Sequence, residues 1–318
     1  MINTTLSMDD GQVIEKLETL KRQITYSLLI FFLLIGNIGC VFNTIIFLRP
    51  CLITSSCSRY FLAASFANLF QLDIGLVSHI LDSGFDIHPH HSSTIICKLR
   101  NYLINTGGFL SQNYLLLACI DRYLISRKSS LSIKINRISL ANRVILFSTC
   151  FWLIFLSHML VYSEILIEKQ FCFFSNSFYV IFISSHNLIL SGFLLPFLMV
   201  IFGLLTWKNI RRIRQQTRQN RRRTRRNHYL SLMLISNVLV NVFFTLMYTA
   251  GLASLSVFFN NNSQTFSHRN KVEQTFVSFI AIIFYYAPFT IFFYINVLTS
   301  QRFRLELKNI FFHQRSIR

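Results

Sequence analysis

Residues 97–123 read CKLRNYLINTGGFLSQNYLLLACIDRY, and the reading of this stretch decides the fold. A cysteine and two bases, Lys98 and Arg100, open it, and Asp121-Arg122-Tyr123 closes it. Between them lie twenty mostly apolar or small residues, Asn101 to Ile120. Twenty residues of helix rise about 30 Å, the thickness of a bilayer's hydrocarbon core. The stretch therefore predicts a membrane-spanning helix whose two ends are chemically distinct.

Composition supports that reading. The 318 residues are 53% hydrophobic and 14% charged, against about 25% charged in a soluble domain. With 34 Phe but only 10 Gly and 4 Pro, the chain suits long apolar helices better than the short alternating strands of a membrane barrel. A net charge of +19 on a soluble protein would point to nucleic acid. Here the bases sit in loops between apolar runs, so they read as a topology signal and no nucleic-acid partner is expected. The seven cysteines form no CxxC pair, which gives zinc and thioredoxin-like chemistry no support. No acid–base pair or ligand cluster stands at catalytic spacing, so neither an enzyme, a cofactor nor a metal site is expected.

Seven apolar runs can be marked: Ile24–Leu48, Tyr60–Leu81, Leu99–Ile125, Val144–Tyr162, Phe178–Trp207, Tyr229–Phe259 and Val272–Leu298. Each is long enough to span. The expected fold is all-α, a seven-transmembrane helix bundle over residues 24–299, preceded by an N-terminal segment, 1–23. Asn237, Asn241, Thr245, Thr249, Ser278 and Thr290 in the last two runs suit helices that face a bundle interior. After the seventh run, Phe303, Leu307, Ile310 and Phe311 recur at helical spacing. Residues 300–318 therefore read as a short amphipathic helix and tail against membrane lipids.

Loop charge sets the orientation. Arg49 and Arg59 follow run one, Arg127, Lys128, Lys134, Arg137 and Arg143 follow run three, and ten bases between Lys208 and Arg226 follow run five. The other side carries Asp82, Asp86, Glu164, Glu168 and the acidic N-terminal segment. The positive-inside rule puts the N-terminus outside and the C-terminus in the cytoplasm. The two N-x-Ser/Thr sequons, at Asn3 and Asn261, then fall outside, as candidate glycosylation sites.

Seven spans with Asp121-Arg122-Tyr123 at the inner end of the third resemble a rhodopsin-like (class A) G-protein-coupled receptor. In that family a cysteine precedes the motif's arginine by twenty-five residues, as Cys97 precedes Arg122. Gly36-Asn37, Trp152, Pro196, Ser111 and Phe303-Arg304 also stand where the family has landmarks. The resemblance implies a disulfide between Cys97 and Cys172, a switch at Asp121, Arg122 and Tyr123, and a heterotrimeric G protein as partner. The chain departs from the family elsewhere. Asn68 replaces the sodium-binding aspartate of span two, span six lacks Cys-Trp-x-Pro, and Phe292-Phe293 and Asn296 stand where span seven has Asn-Pro-x-x-Tyr.

The resemblance also bears on the ligand. Amine receptors place an aspartate eighteen residues before the arginine, and here that residue is Ile104. Opsins need a lysine near Tyr286, but span seven has only Lys271, at its rim. Tyr102, Gln112, His186, Tyr248, Tyr285 and Tyr286 remain as candidate pocket residues. Such a large, partly aromatic mouth suits a neuropeptide, and the general look is similar to invertebrate peptide receptors of the FMRFamide type. The alternatives are a chemosensory receptor of the same fold for small molecules, or a seven-helix transporter. The second alternative finds few ionisable residues inside the spans.

Overall fold

The computed structural model describes residues 8–88, 93–126, 137–166, 171–174, 176–216, 221–261 and 268–311. The first rod is α1 (Met8–Ile24), a π-helical turn at Thr25–Leu29, and α2 (Ile30–Phe47). Pro50 starts the short α3 (Pro50–Ile53), where its missing N–H costs nothing. The second rod is α4 (Ser56–Phe70), a π turn at Gln71–Leu76, and α5 (Val77–Gly84). Next come α6 (Thr94–Ser126) and α7 (Arg137–Phe155), the latter closed by a 3-10 turn and α8 (Met159–Tyr162). β1 (Ser163–Leu166) and β2 (Phe171–Phe174) form an antiparallel hairpin with Ile165 opposite Cys172. The fifth rod is α9 (Ser177–His186), capped by the Asn176 side chain, then a π turn at Asn187–Leu194 and α10 (Leu195–Gln216). It is followed by α11 (Arg221–Asn261), α12 (His268–Thr299) and α13 (Gln301–Phe311).

Among the described residues, six helical runs are long and apolar enough to cross a membrane: Gly11–Phe47, Ser56–Gly84, Arg137–Tyr162, Phe178–Arg211, Tyr229–Ser254 and Val272–Thr299. The chain is thus a multi-pass helical bundle of membrane type. The six correspond to the first, second and last four of the apolar runs. The expected third span falls on α6, which has the length but also Lys98, Arg100, Asn101, Asn105, Gln112, Asn113, Asp121 and Arg122. Nevertheless α6 is central, packed against both α4 and α10.

The bundle is inside-out relative to a soluble protein. Leu146, Phe147, Ile154, Phe178, Phe193, Leu239 and Leu298 are exposed, while Asn43, Asn68, Gln71, Asn237, Asn241 and Asn296 are buried. An outer apolar belt around a polar seam is what lipid as solvent selects, since amides between helices can bond one another. Thr245 and Thr290 are also buried, whereas Thr249 and Ser278 are half-buried.

At the end of the bundle that carries α13, an aromatic core seats that helix. Phe303 packs 5.4 Å from Phe47 and 5.9 Å from Phe293, and Phe292 lies 5.6 Å from Phe61 between ring centroids. Phe292-Phe293 therefore serve as packing residues. The Arg304 guanidinium donates to the carbonyls of Val297 and Leu298, both at 2.8 Å, and caps the end of α12. Leu305 and Phe311 on α13 point outward.

Candidate functional site

At its C-terminal end α6 carries a buried ion pair. The Arg122 side chain is 3% exposed and donates to Asp121 Oδ2 at 2.8 Å from Nη2 and 3.2 Å from Nε. Ser56, the first residue of α4, completes the arrangement: its hydroxyl donates to the same Asp121 oxygen at 2.8 Å and accepts from Arg122 at 3.3 Å. Holding a guanidinium in the bundle requires such compensation, because an unpaired buried charge costs several kcal/mol. Tyr123 lies outside the pair, its ring 5.6 Å from Phe202 of α10. Asn209 of α10 donates to Ser126 Oγ at 2.9 Å, which ties the last turn of α6 to that helix. Ser56 did not stand out in the sequence; it lies in the first basic loop, four residues before the second apolar run.

At the other end of α6, a disulfide joins Cys97 to Cys172 of β2, with the Cα atoms 5.7 Å apart across 75 residues of sequence. It fixes the hairpin over that end of α6. Asn101, one turn further in, donates to Ser163 Oγ at 3.4 Å.

The six candidate pocket residues separate into two groups. Tyr248, Tyr285 and Tyr286 come together on α11 and α12, with 5.0 Å between successive ring centroids. Gln71, in the π turn of the second rod, reaches them and donates to the Tyr285 hydroxyl at 3.1 Å. The fit is close: a Cβ on Gly108 would lie 2.2 Å from the Tyr285 hydroxyl, so only glycine lets α6 approach there. The other three line a different seam. Gln112 accepts from Ser191 at 2.7 Å, and His186 packs 5.1 Å from Phe109 and 5.4 Å from Phe155 between ring centroids. Tyr102 faces α7, where its hydroxyl donates to the Leu153 carbonyl at 2.9 Å.

Between these ends runs a chain of amides. Asn237 of α11 donates to Asn296 Oδ1 at 2.8 Å, and Asn296 donates to Asn43 Oδ1 at 3.2 Å, linking α11, α12 and α2. Beside it Ser111 donates to Asn68 Oδ1 at 2.5 Å. Asn68, Ser111, Asn237, Asn241 and Pro288 line a cavity of about 10 Å³, the size of one water. The Oδ1 atoms of Asn237 and Asn241 are buried without a hydrogen-bond partner among the described residues. Asp73, the acid nearest in sequence to Asn68, is held elsewhere, accepting from Asn37 Nδ2 at 2.7 Å on an exposed face.

Of the candidate glycosylation sites, Asn3 lies outside the described residues and Asn261 ends α11. Among the described residues, no group of three or more His, Cys, Asp or Glu could hold a metal ion. No protein-family model matches the chain, and no curated protein matches it.

Proposed function

We propose that this chain is a rhodopsin-like G-protein-coupled receptor, with α6 as the third of seven spans. It lies in the plasma membrane with its N-terminus extracellular and its C-terminus cytoplasmic. It binds an extracellular ligand, a neuropeptide on this reading, and activates a heterotrimeric G protein. One observation carries the reading: a single helix bears a disulfide-tethered loop at one end and the buried Asp121–Arg122–Ser56 latch at the other.

In this reading the latch holds the resting state. A ligand shifts a two-state bundle only by binding one state better. Rearrangement at the outer tyrosines passes through the Asn237–Asn296–Asn43 chain, which links the sixth, seventh and first spans. When α11 moves, Arg122 leaves Asp121 and meets the G protein. The basic residues near α10 and α11 serve topology and attract anionic inner-leaflet lipids, at about 1 kcal/mol each.

The closed packing of Gly108 on Tyr285 favours a second reading, a chemosensory receptor for small molecules. A peptide library and a small-molecule library, screened on cells expressing the chain with a second-messenger readout, separate the two. Responses to peptides alone support the neuropeptide reading. Responses to small molecules alone support the chemosensory one.

A further inference from the structure

We propose that the groove between the first and second rods, centred on Asp73, receives a membrane-spanning helix of another protein that carries a lysine or arginine near its middle. The proposal needs only the multi-pass bundle and does not depend on the receptor reading. Asp73 sits in the π turn of the second rod with its side chain exposed. Its one hydrogen bond among the described residues comes from Asn37 Nδ2 of α2, at 2.7 Å, and none of the described bases forms an ion pair with it.

Depth sets this acid apart. Asp73 stands thirteen residues from one end of the apolar run Tyr60–Leu81 and eight from the other, and Asn37 stands near the middle of Ile24–Leu48. At 1.5 Å per residue, the nearer end of the second run is about 12 Å away along the helix. Lysine and arginine can reach the interface from within a span, but aspartate is too short, so phospholipid headgroups and bulk water lie out of range. A carboxylate that faces hydrocarbon is costly, and one amide hydrogen leaves its second oxygen without a donor.

The surface around Asp73 has the spacing of a helix seat. On α2, Leu34, Ile38, Val41 and Ile45 are exposed at alternating steps of four and three residues, the interval at which one helix receives another. Phe66 and Phe70 of α4 are exposed too, and the same steps lead from them to Asp73. Bases inside the seven apolar runs are confined to Arg100 and Arg122, near the ends of the third. A second copy of this chain therefore brings no cation to this depth, and two-fold pairing across the groove would set two Asp73 carboxylates against each other. A lysine or arginine at the centre of a partner helix meets the carboxylate directly, while its apolar turns pack on the exposed side chains above and below.

The full chain, with a donor dye at its C-terminus, is reconstituted in phosphatidylcholine vesicles with a synthetic, acceptor-labelled leucine–alanine helix long enough to span. Energy transfer is read for helices with lysine at the centre, with leucine at the centre, and with the lysine moved to the last turn. The central-lysine helix should bind at least tenfold more tightly than the other two, and Asp73→Asn should erase that preference. Ile38→Trp fills the groove from an exposed position and leaves the carboxylate in place; it should weaken binding several-fold. Phe147→Trp, on the exposed face of α7, should not.

The proposal is overturned if the central-lysine and central-leucine helices bind alike or if the preference survives Asp73→Asn undiminished. It is overturned equally if Asp73 dependence appears only in energy transfer between copies of the chain, which would make a second copy the occupant.

Discussion

Asn296→Leu probes the amide seam directly. The Asn296 side chain is fully buried, accepts from Asn237 and donates to Asn43. Leucine has the same branched outline and the same number of side-chain heavy atoms, so no cavity opens and the loss is mainly polar. Asn237 keeps its second bond, to the Met233 carbonyl at 2.8 Å. Asn43 Oδ1 loses the partner seen here, and Asn43 Nδ2 already lacks one among the described residues. A buried polar group left unpaired costs about 1–3 kcal/mol, whereas interhelical hydrogen bonds in membrane bundles average about 0.6 kcal/mol. The expected loss is therefore about 1–2 kcal/mol, or roughly 1.5–3 °C in Tm for a chain of this size. The buried thiols Cys40, Cys57 and Cys119 allow unfolding to be followed with a thiol-reactive fluorophore in detergent. Asn43→Leu combined with Asn296→Leu should cost about 1 kcal/mol less than the sum of the single changes, because the second substitution removes the group that the first left unpaired. A single variant melting within a degree of wild type, or strict additivity in the double, would refute the reasoning.

Three further outcomes are expected. Asp121→Asn weakens the hold on Arg122 and should raise basal nucleotide exchange, with Ser56→Ala acting in the same direction but less, for a loss of about 1 kcal/mol; equal basal exchange in all three proteins would contradict the latch. Cys51 donates to Glu306 Oε1 at 3.0 Å, and burial, with the hydrogen bond and charge of Glu306, pushes its thiol up to about 11 from the ordinary 9.0. Because the thiolate is the nucleophile, maleimide labelling at pH 7.5 should be about 100-fold slower than at an ordinary thiol, should keep rising tenfold per pH unit past pH 9, and should speed up in Glu306→Gln. Gly108→Ala should push the Tyr285 hydroxyl aside at a cost of about 1–3 kcal/mol, and Tyr285→Phe should recover part of that loss by removing the clashing oxygen; thermal unfolding of the two variants and their combination measures it.

Six of the seven apolar runs became helices long and apolar enough to span, because a run of twenty lipid-compatible residues has few alternatives to helix. The third did not meet that standard. Its polar residues reflect a central position in the bundle, packed against neighbours on both sides rather than facing lipid. The interior role of Asn237 and Asn241 could be read from polar residues recurring in an apolar run. Their partners could not: Asn296 and Asn43 are 253 residues apart in sequence and meet only because α12 packs on α2. Ser56 was hidden for the same reason, as nothing local to it announces Asp121. Tyr102 and Gln112 lie on faces of α6 turned toward α7 and the fifth rod, where they bond Leu153 and Ser191, and so do not join the tyrosines. Asn68 pairs with Ser111, and Asp73 with Asn37 on the far side of the rod. The departure from the family at Asn68 is therefore not made good by the nearby acid.

The receptor reading stands or falls on transfer of a signal through Arg122. The purified chain, reconstituted in lipid with a panel of heterotrimeric G proteins, should accelerate guanine-nucleotide exchange on at least one of them when a binding peptide is added. Arg122→Ala should abolish that acceleration while peptide binding persists. Peptide binding with no exchange on any G protein in the wild-type chain, or exchange unchanged by Arg122→Ala, would contradict it.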